Sequence, residues 1–217
     1  MLEIKEVELE VEDEVCPRII SREEWGARPP VEESSHLPDL LAMLFLHHSA
    51  MTECEDQASC EAAAREIQDL HMDNNGWWDI GYRSGDTTVT SHLTDISSFL
   101  IGGDGLIYEG RGWNVQGAHT LGFNTVGYGI CFLGDFSSHD PTTPAMAAYA
   151  SLVACALETG KIAVSYQMFG HRQTQPEGGT ECPGDSLYST IQSWPHWVGR
   201  GQSGALSLVQ IRRDTVL

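Results

Sequence analysis

Basic residues are scarce in this sequence. Its 217 residues contain 12 Lys and Arg against 31 Asp and Glu, which gives a formal net charge of −19 at pH 7 and a pI near 4.6. This shortage excludes functions that rest on contacts with phosphate groups, nucleic-acid binding above all, because such contacts need a basic surface. It also argues against docking on an anionic membrane leaflet.

Long apolar runs are absent as well. The longest one, residues 40–46, has the length of a strand, so the sequence predicts no membrane-spanning helix. Hydrophobic residues nevertheless make up 41% of the chain, and 217 residues are enough for one domain that buries its own core. We therefore expect one acidic domain, with tails at its two ends.

The acidic excess is concentrated in residues 1–15, which hold seven acids and one Lys. We interpret this segment as a solvated N-terminal arm. It lacks the basic and apolar regions of a secretory signal peptide. The six cysteines leave the compartment open, because they would be thiols or metal ligands in the cytosol and mostly disulfides in a secreted protein.

Hydrophobic periodicity along the chain indicates the α/β class. Short apolar runs predict strands, the Gly-rich turn at 102–105 predicts a hairpin, and apolar residues at helical spacing predict three helices. The predicted strands are residues 44–48, 98–101, 106–109, 126–132 and 163–169. The predicted helices are residues 59–75, 143–160 and 185–194. The polar stretch 83–97 reads as a loop.

Metal-binding side chains stand at the ends of two predicted strands. His47 and His48 close one strand, His171 follows another, and Cys182 comes eleven residues later. Two imidazoles and one thiolate with an open fourth position form the ligand set of catalytic zinc, which activates water and polarises carbonyl groups. The spacing alone is a weak signal, so buried structural histidines and an unused cysteine remain the alternative for each residue.

Several segments resemble the peptidoglycan recognition protein family, which shares its fold with phage-type N-acetylmuramoyl-L-alanine amidases. The matching segments are residues 19–28 (IISREEWGAR), 45–50 (FLHHSA), 71–82 (HMDNNGWWDIGY), 98–120 (SFLIGGDGLIYEGRGWNVQGAHT), 127–134 (GYGICFLG), 170–173 (GHRQ) and 180–188 (TECPGDSLY). They place a recognition and amidase domain at residues 16–197, between the arm at 1–15 and a C-terminal tail at 198–217. The resemblance implies a central mixed β-sheet flanked by about three helices.

The resemblance implies a zinc-dependent N-acetylmuramoyl-L-alanine amidase of innate immunity. Such an enzyme binds bacterial peptidoglycan and its muropeptides and cuts the amide between N-acetylmuramic acid and L-Ala. It implies that Zn²⁺ is held by His47, His171 and Cys182, and that Tyr82 and Thr180 assist catalysis. Family members that only bind peptidoglycan commonly lose the cysteine, so Cys182 favours the enzyme.

His47 rather than His48 matches the family's ligand position. Neighbouring residues of a strand point to opposite faces, so one residue of the pair is expected to reach the metal.

The resemblance also implies a preference for the meso-diaminopimelate type of stem peptide. Gly76, Trp77 and Arg111 match the residues that read the third stem residue, whose extra carboxylate a guanidinium can take as a bidentate pair. His71 and His119 match positions that contact the stem and the sugar. The alternatives are a packed aromatic for Trp77 and a surface ion pair for Arg111.

The family's disulfide pattern implies two bridges, Cys54–Cys60 and Cys16–Cys155. Cys131, inside an apolar strand, is most simply a buried core thiol. This pattern favours an extracellular location, whereas the N-terminus without a signal peptide leaves an intracellular one as the alternative.

An insertion departs from the family pattern. Residues 83–97, fifteen in all, follow Tyr82 directly, where the family passes almost at once into the next strand. A surface loop beside the groove is the simplest interpretation. Otherwise the insertion displaces Tyr82, and the chain is a non-catalytic peptidoglycan-binding receptor. An unrelated zinc or thiol hydrolase is the third hypothesis, and the sequence leaves the oligomeric state open.

Overall fold

A computed structural model describes residues 16–32, 35–80, 98–176 and 178–199. In this part of the chain, six strands form one sheet and three α-helices pack on it. The strands are β1 (Ile19–Ile20), β2 (Leu41–His48), β3 (Phe99–Ile101), β4 (Ile107–Glu109), β5 (Gly127–Phe132) and β6 (Ile162–Gly170). The helices are α1 (Gln57–Asp69), α2 (Thr143–Glu158) and α3 (Asp185–Ile191).

The sheet is mixed, in the order β1-β4-β3-β5-β2-β6. Only β3 and β4 pair antiparallel among these strands, as the Gly-rich hairpin predicts, and the other neighbours are parallel. The predicted fold class, a mixed sheet with three helices, is confirmed. The strands β2, β5 and β6 are parallel neighbours, so their carboxyl ends meet at one edge of the sheet, where the candidate site lies.

Strand β2 is buried along nearly its whole length, because α2 and α3 cover one face and Phe123, Val126 and Val198 pack on the other. Its Leu44 and Leu46 belong to a core shared with α2 and α3, whereas Phe45 packs in a separate cluster on the other face. Continuing this alternation places His47 on the face of Phe45 and His48 on the face of Leu46.

Helix α1 departs from the sequence prediction at both ends. It begins at Gln57, two residues before the predicted start at 59, because Asp56 and Ser59 form a reciprocal capping box. It ends at Asp69 and continues as a π-helical turn over Leu70–Asn74. Helix α3 ends at Ile191 rather than at Trp194. Strand β1 was not predicted, since two residues are too few to show a period.

Both expected disulfides, Cys16–Cys155 and Cys54–Cys60, are formed, and Cys131 is buried in the core. Val198 donates from its N–H to Met168 O at 3.1 Å, next to the predicted boundary at 197. Among the residues that the structure describes, no helix combines the length and apolar character needed to cross a bilayer. The acidic arm, the insertion at 83–97 and most of the predicted tail lie outside those residues.

Candidate functional site

Three metal-binding side chains converge at the carboxyl edge of β2 and β6. His47 lies near the end of β2, His171 directly follows β6, and Cys182 stands on the loop that precedes α3. Their ligand atoms lie within 4.8 Å of one another. His47 Nδ1 is 3.6 Å from Cys182 Sγ, and the rings of His47 and His171 are 4.7 Å apart between centroids. This set of two imidazoles and one thiol suits zinc.

Burial keeps the His47 imidazole neutral. The ring is fully buried, and this desolvation, followed by the charges of His171, His119 and His48, lowers its pKa well below the ordinary value. A neutral imidazole offers the lone pair that a metal needs, whereas an imidazolium has none. The three residues therefore fit a zinc ion in donor type, and His47 fits it in protonation as well.

His48 lies on the other face of β2, away from the cluster. Its Nδ1 accepts a hydrogen bond from Phe136 N at 3.3 Å and lies 3.7 Å from Asp135 Oδ1. Burial lowers the pKa of His48 to about 4, although the Asp135 carboxylate acts in the opposite direction. The structure thus places His47 beside His171 and Cys182, and it places His48 in the packing between the sheet and residues 135–136.

Arg172 holds the loop that carries Cys182. Its backbone N–H and its Nε both donate to Cys182 O, at 3.0 and 3.3 Å. Its guanidinium also donates to Glu181 O and forms an ion pair with Asp185 at 2.6 Å. No role was predicted for Arg172. The available signals in the sequence were its position next to His171 and the acid Asp185 at the start of the next helix.

Thr180 lies two residues before Cys182 and is half-buried. Its Oγ1 accepts a hydrogen bond from Cys182 N at 3.1 Å, so it is held beside the candidate metal ligands. Tyr82, the other residue expected to assist catalysis, lies outside the described residues.

A second group of predicted site residues gathers at the π-helical turn. Trp77 folds back over this turn, donating from its N–H to His71 O at 2.9 Å. The His71 and Trp77 rings pack with centroids 4.5 Å apart, and both side chains are buried. Gly76 adopts a φ of +65°, a conformation that favours glycine and makes this reversal possible.

Arg111 is buried, with 9% of its surface exposed. Its Nε donates to Ile80 O at 2.9 Å and its Nη1 to Gln116 O at 3.0 Å. Burial lowers the pKa of Arg111, and the Asp79 carboxylate opposes this shift. An arginine remains charged even so, so the structure holds a partly desolvated cation against the carbonyl of Ile80, three residues after Trp77.

Asp79 fastens the backbone at Ile80, two residues after Trp78. It forms an ion pair with Arg22 at 2.8 Å and accepts hydrogen bonds from Gln68 Nε2 at 2.8 Å and Ile80 N at 2.7 Å. The carbonyl oxygen of Ile80 in turn accepts the hydrogen bond from Arg111 Nε. Sequence reasoning assigned no role to Asp79, Arg22 or Gln68, since no local pattern joins them and they meet only in the fold.

Comparison with known proteins identifies the family. A family model described as N-acetylmuramoyl-L-alanine amidase matches residues 39–185. Peptidoglycan-recognition protein SC2 of Drosophila melanogaster is 40% identical over 179 residues, which cover 82% of this chain and 87% of that protein. The human N-acetylmuramoyl-L-alanine amidase is 37% identical over 185 residues, 84% of this chain but 29% of that protein.

A solved structure shows the same fold. Peptidoglycan recognition protein-LE, solved in complex with tracheal cytotoxin, a monomeric diaminopimelic acid-type peptidoglycan, superposes with a TM-score of 0.75 at 36% identity. The match covers 85% of this chain and 98% of that one. The chain belongs to the peptidoglycan recognition protein family, which removes the alternative of an unrelated hydrolase.

Proposed function

We propose that this protein binds bacterial peptidoglycan and hydrolyses the amide between N-acetylmuramic acid and L-Ala as a zinc-dependent amidase. The observation that carries the proposal is the convergence of His47, His171 and Cys182 at one edge of the sheet. When bound there, zinc supplies Lewis-acid activation of water and of the scissile carbonyl. The cytotoxin complex of a related structure and the names of the relatives support the substrate class.

The chain's own residues supply orientation and charge stabilisation around that centre. Arg172 fixes the loop of Cys182 so that the thiol faces His47. The hydroxyl of Thr180 accepts from the Cys182 backbone, which leaves its hydrogen to donate toward the oxygen on which negative charge develops. Tyr82 is assigned a similar hydrogen-bonding role from the family resemblance alone.

A digest of a meso-diaminopimelate muropeptide tests the activity directly. We expect about one equivalent of zinc per chain by elemental analysis and release of free stem peptide detected by mass spectrometry. A chelator should stop the release, and added zinc should restore it. Zinc-loaded protein that releases no stem peptide would contradict the enzymatic proposal.

The insertion at 83–97 favours a second candidate, a peptidoglycan-binding receptor without activity. In that case the protein binds muropeptide but leaves it intact, because Tyr82 is displaced. Deleting residues 83–97 should then restore stem-peptide release. A deletion variant that binds muropeptide and stays inactive would remove the insertion as the cause.

Arg111 is proposed to select the diaminopimelate stem through its extra carboxylate. Arg111→Lys keeps the positive charge but loses the planar fork, so it is expected to weaken binding of a diaminopimelate muropeptide by about 10-fold. Binding of a Lys-type muropeptide should change less. Isothermal titration of both ligands measures the ratio of the two affinities.

Arg18→Lys, at an arginine whose side chain is 62% exposed, is the matched control and should change neither affinity. Equal losses for both ligands would contradict the selection role.

The two disulfides support a location in an oxidising compartment. We propose that the protein acts outside the cytosol, where such bridges persist and where bacterial wall fragments are met.

A further inference from the structure

A buried chain of polar groups runs from strand β5 to the candidate metal ligands. His119 Nε2 lies 3.0 Å from Gly127 O, and His119 Nδ1 lies 3.0 Å from Thr120 Oγ1. Thr120 Oγ1 is in turn 3.4 Å from His47 Nε2. None of these three side chains has more than 1% of its surface exposed, so the chain is shielded from water.

The direction of each hydrogen bond follows from the carbonyl at one end. Gly127 O only accepts, so His119 Nε2 carries hydrogen, and in the neutral form of the ring Nδ1 is the acceptor. The Thr120 hydroxyl therefore donates its single hydrogen to His119 Nδ1. Its oxygen is left to accept from His47 Nε2, which then carries hydrogen. The lone pair of His47 is thereby placed on Nδ1, the atom that lies toward Cys182.

The surroundings keep the His119 ring in this orientation. A Cβ at Gly129 would lie 2.5 Å from His119 Cγ, and one at Gly117 would lie 2.6 Å from His119 Cδ2. The ring thus fills space that two glycines leave open. Asn124 Oδ1 accepts from the backbone N–H groups of His119 and Thr120, at 2.9 and 2.8 Å, which fixes the backbone of the pair.

We propose that Thr120 is a positioning residue that sets the tautomer of His47, through a relay anchored at the Gly127 carbonyl. The relay presents the Nδ1 lone pair of His47 for metal binding before any metal arrives. Its benefit for zinc affinity rests on the proposed function, whereas the tautomer itself is a property of the metal-free chain. His119 is thereby given a structural task in addition to its expected contact with ligand.

The tautomer can be read in metal-free protein by long-range ¹H–¹⁵N NMR of the histidine rings. In the wild type, we expect His47 to carry its hydrogen on Nε2. Thr120→Val keeps the side-chain shape and removes the hydroxyl, so the preference for this tautomer should be lost. Zinc affinity should fall by about 10-fold, as for the loss of other groups that orient a ligand. Thr120→Ser restores the hydroxyl and should recover both readouts.

Thr159→Val, which removes a hydroxyl that donates to Cys155 O away from the site, is the matched control and should alter neither readout. A wild-type His47 with its hydrogen on Nδ1 would overturn the proposal without any variant, even if Thr120→Val does not fold. So would a folded Thr120→Val that keeps the Nε2–H tautomer and the wild-type zinc affinity. Wild-type protein with the Nε2–H tautomer and no zinc binding would instead remove the metal site and leave the relay standing.

Discussion

Replacing Cys182 by serine is expected to abolish both zinc binding and hydrolysis. A thiolate is a strong zinc ligand, whereas a neutral hydroxyl is a poor one, and only two imidazoles would remain. Zinc content should fall from about one equivalent to near zero. Stem-peptide release should fall on the order of 10³-fold or more, because metal activation of water is lost. Elemental analysis and mass spectrometry of the same preparation measure the two effects.

The fold of the Cys182→Ser variant should be unaffected. The loop is held by Arg172 through the carbonyl of residue 182, a contact that serine preserves. Muropeptide binding should also persist, because Trp77 and Arg111 stand on segments separate from that loop. The variant would thus behave as a receptor, with the affinity of the wild type and no cleavage.

Cys131 offers a matched control, since it is the other cysteine outside the disulfides. Cys131→Ala trims a buried thiol in β5 and should lower stability while zinc content stays near one equivalent. A Cys182→Ser protein that retains zinc and activity would show that residue 182 is not a ligand. That result would mean that zinc binding and hydrolysis depend on residues other than Cys182.

The location of the candidate site could be predicted from local sequence because strand geometry is local. Alternation along β2 puts His47 and His48 on opposite faces, and parallel strands bring their carboxyl ends to one edge. The same reasoning predicted the hairpin around Gly102–Gly105 and the strands that frame it. Strands and tight turns are specified by patterns only a few residues long, and these patterns can be read directly from the sequence.

The groups that hold the site in place were not predictable in the same way. Arg172 reaches Glu181 and Asp185 across a loop, and Asp79 gathers Arg22 and Gln68 from separate segments. Each contact depends on how separate segments pack together, whether they are about ten residues apart, as Gln68 and Asp79 are, or much farther, as Arg22 and Asp79 are. The π-helical turn after α1 has the same origin, because a helical pattern in the sequence does not specify where the hydrogen-bond register changes.

Family resemblance supplied what local patterns did not, namely the pairing of the cysteines. The long bridge joins residues 139 apart and fastens the segment that carries β1 and Arg22 to α2. The short bridge joins residues 6 apart, beside the start of α1. This difference in loop length leads to the second large expected effect.

Removing the Cys16–Cys155 bridge is expected to destabilise the protein far more than removing Cys54–Cys60. In the chain-entropy model, a bridge stabilises by restricting the unfolded chain, by about 5 kcal/mol for the long loop and about 2 kcal/mol for the short one. A loss of about 5 kcal/mol corresponds to a fall in melting temperature of roughly 10–20 °C for a domain of this size. Urea unfolding and thermal scans of the two double variants measure the difference.

The comparison is matched when both cysteines of a bridge become alanine, because neither variant then leaves a lone thiol. Cys155, Cys54 and Cys60 are all buried, so the loss of sulfur packing is similar in the two variants and the loop length remains the main difference. Cys16→Ala/Cys155→Ala should also weaken diaminopimelate muropeptide binding. Arg22 lies on the released segment and pairs with Asp79, which accepts from Ile80 N, and the carbonyl of Ile80 accepts from Arg111. If the short-bridge variant lost as much stability as the long-bridge variant, unfolded-chain entropy would not be the source of the stabilisation. The anchoring of the N-terminal segment would then have to act through native contacts alone.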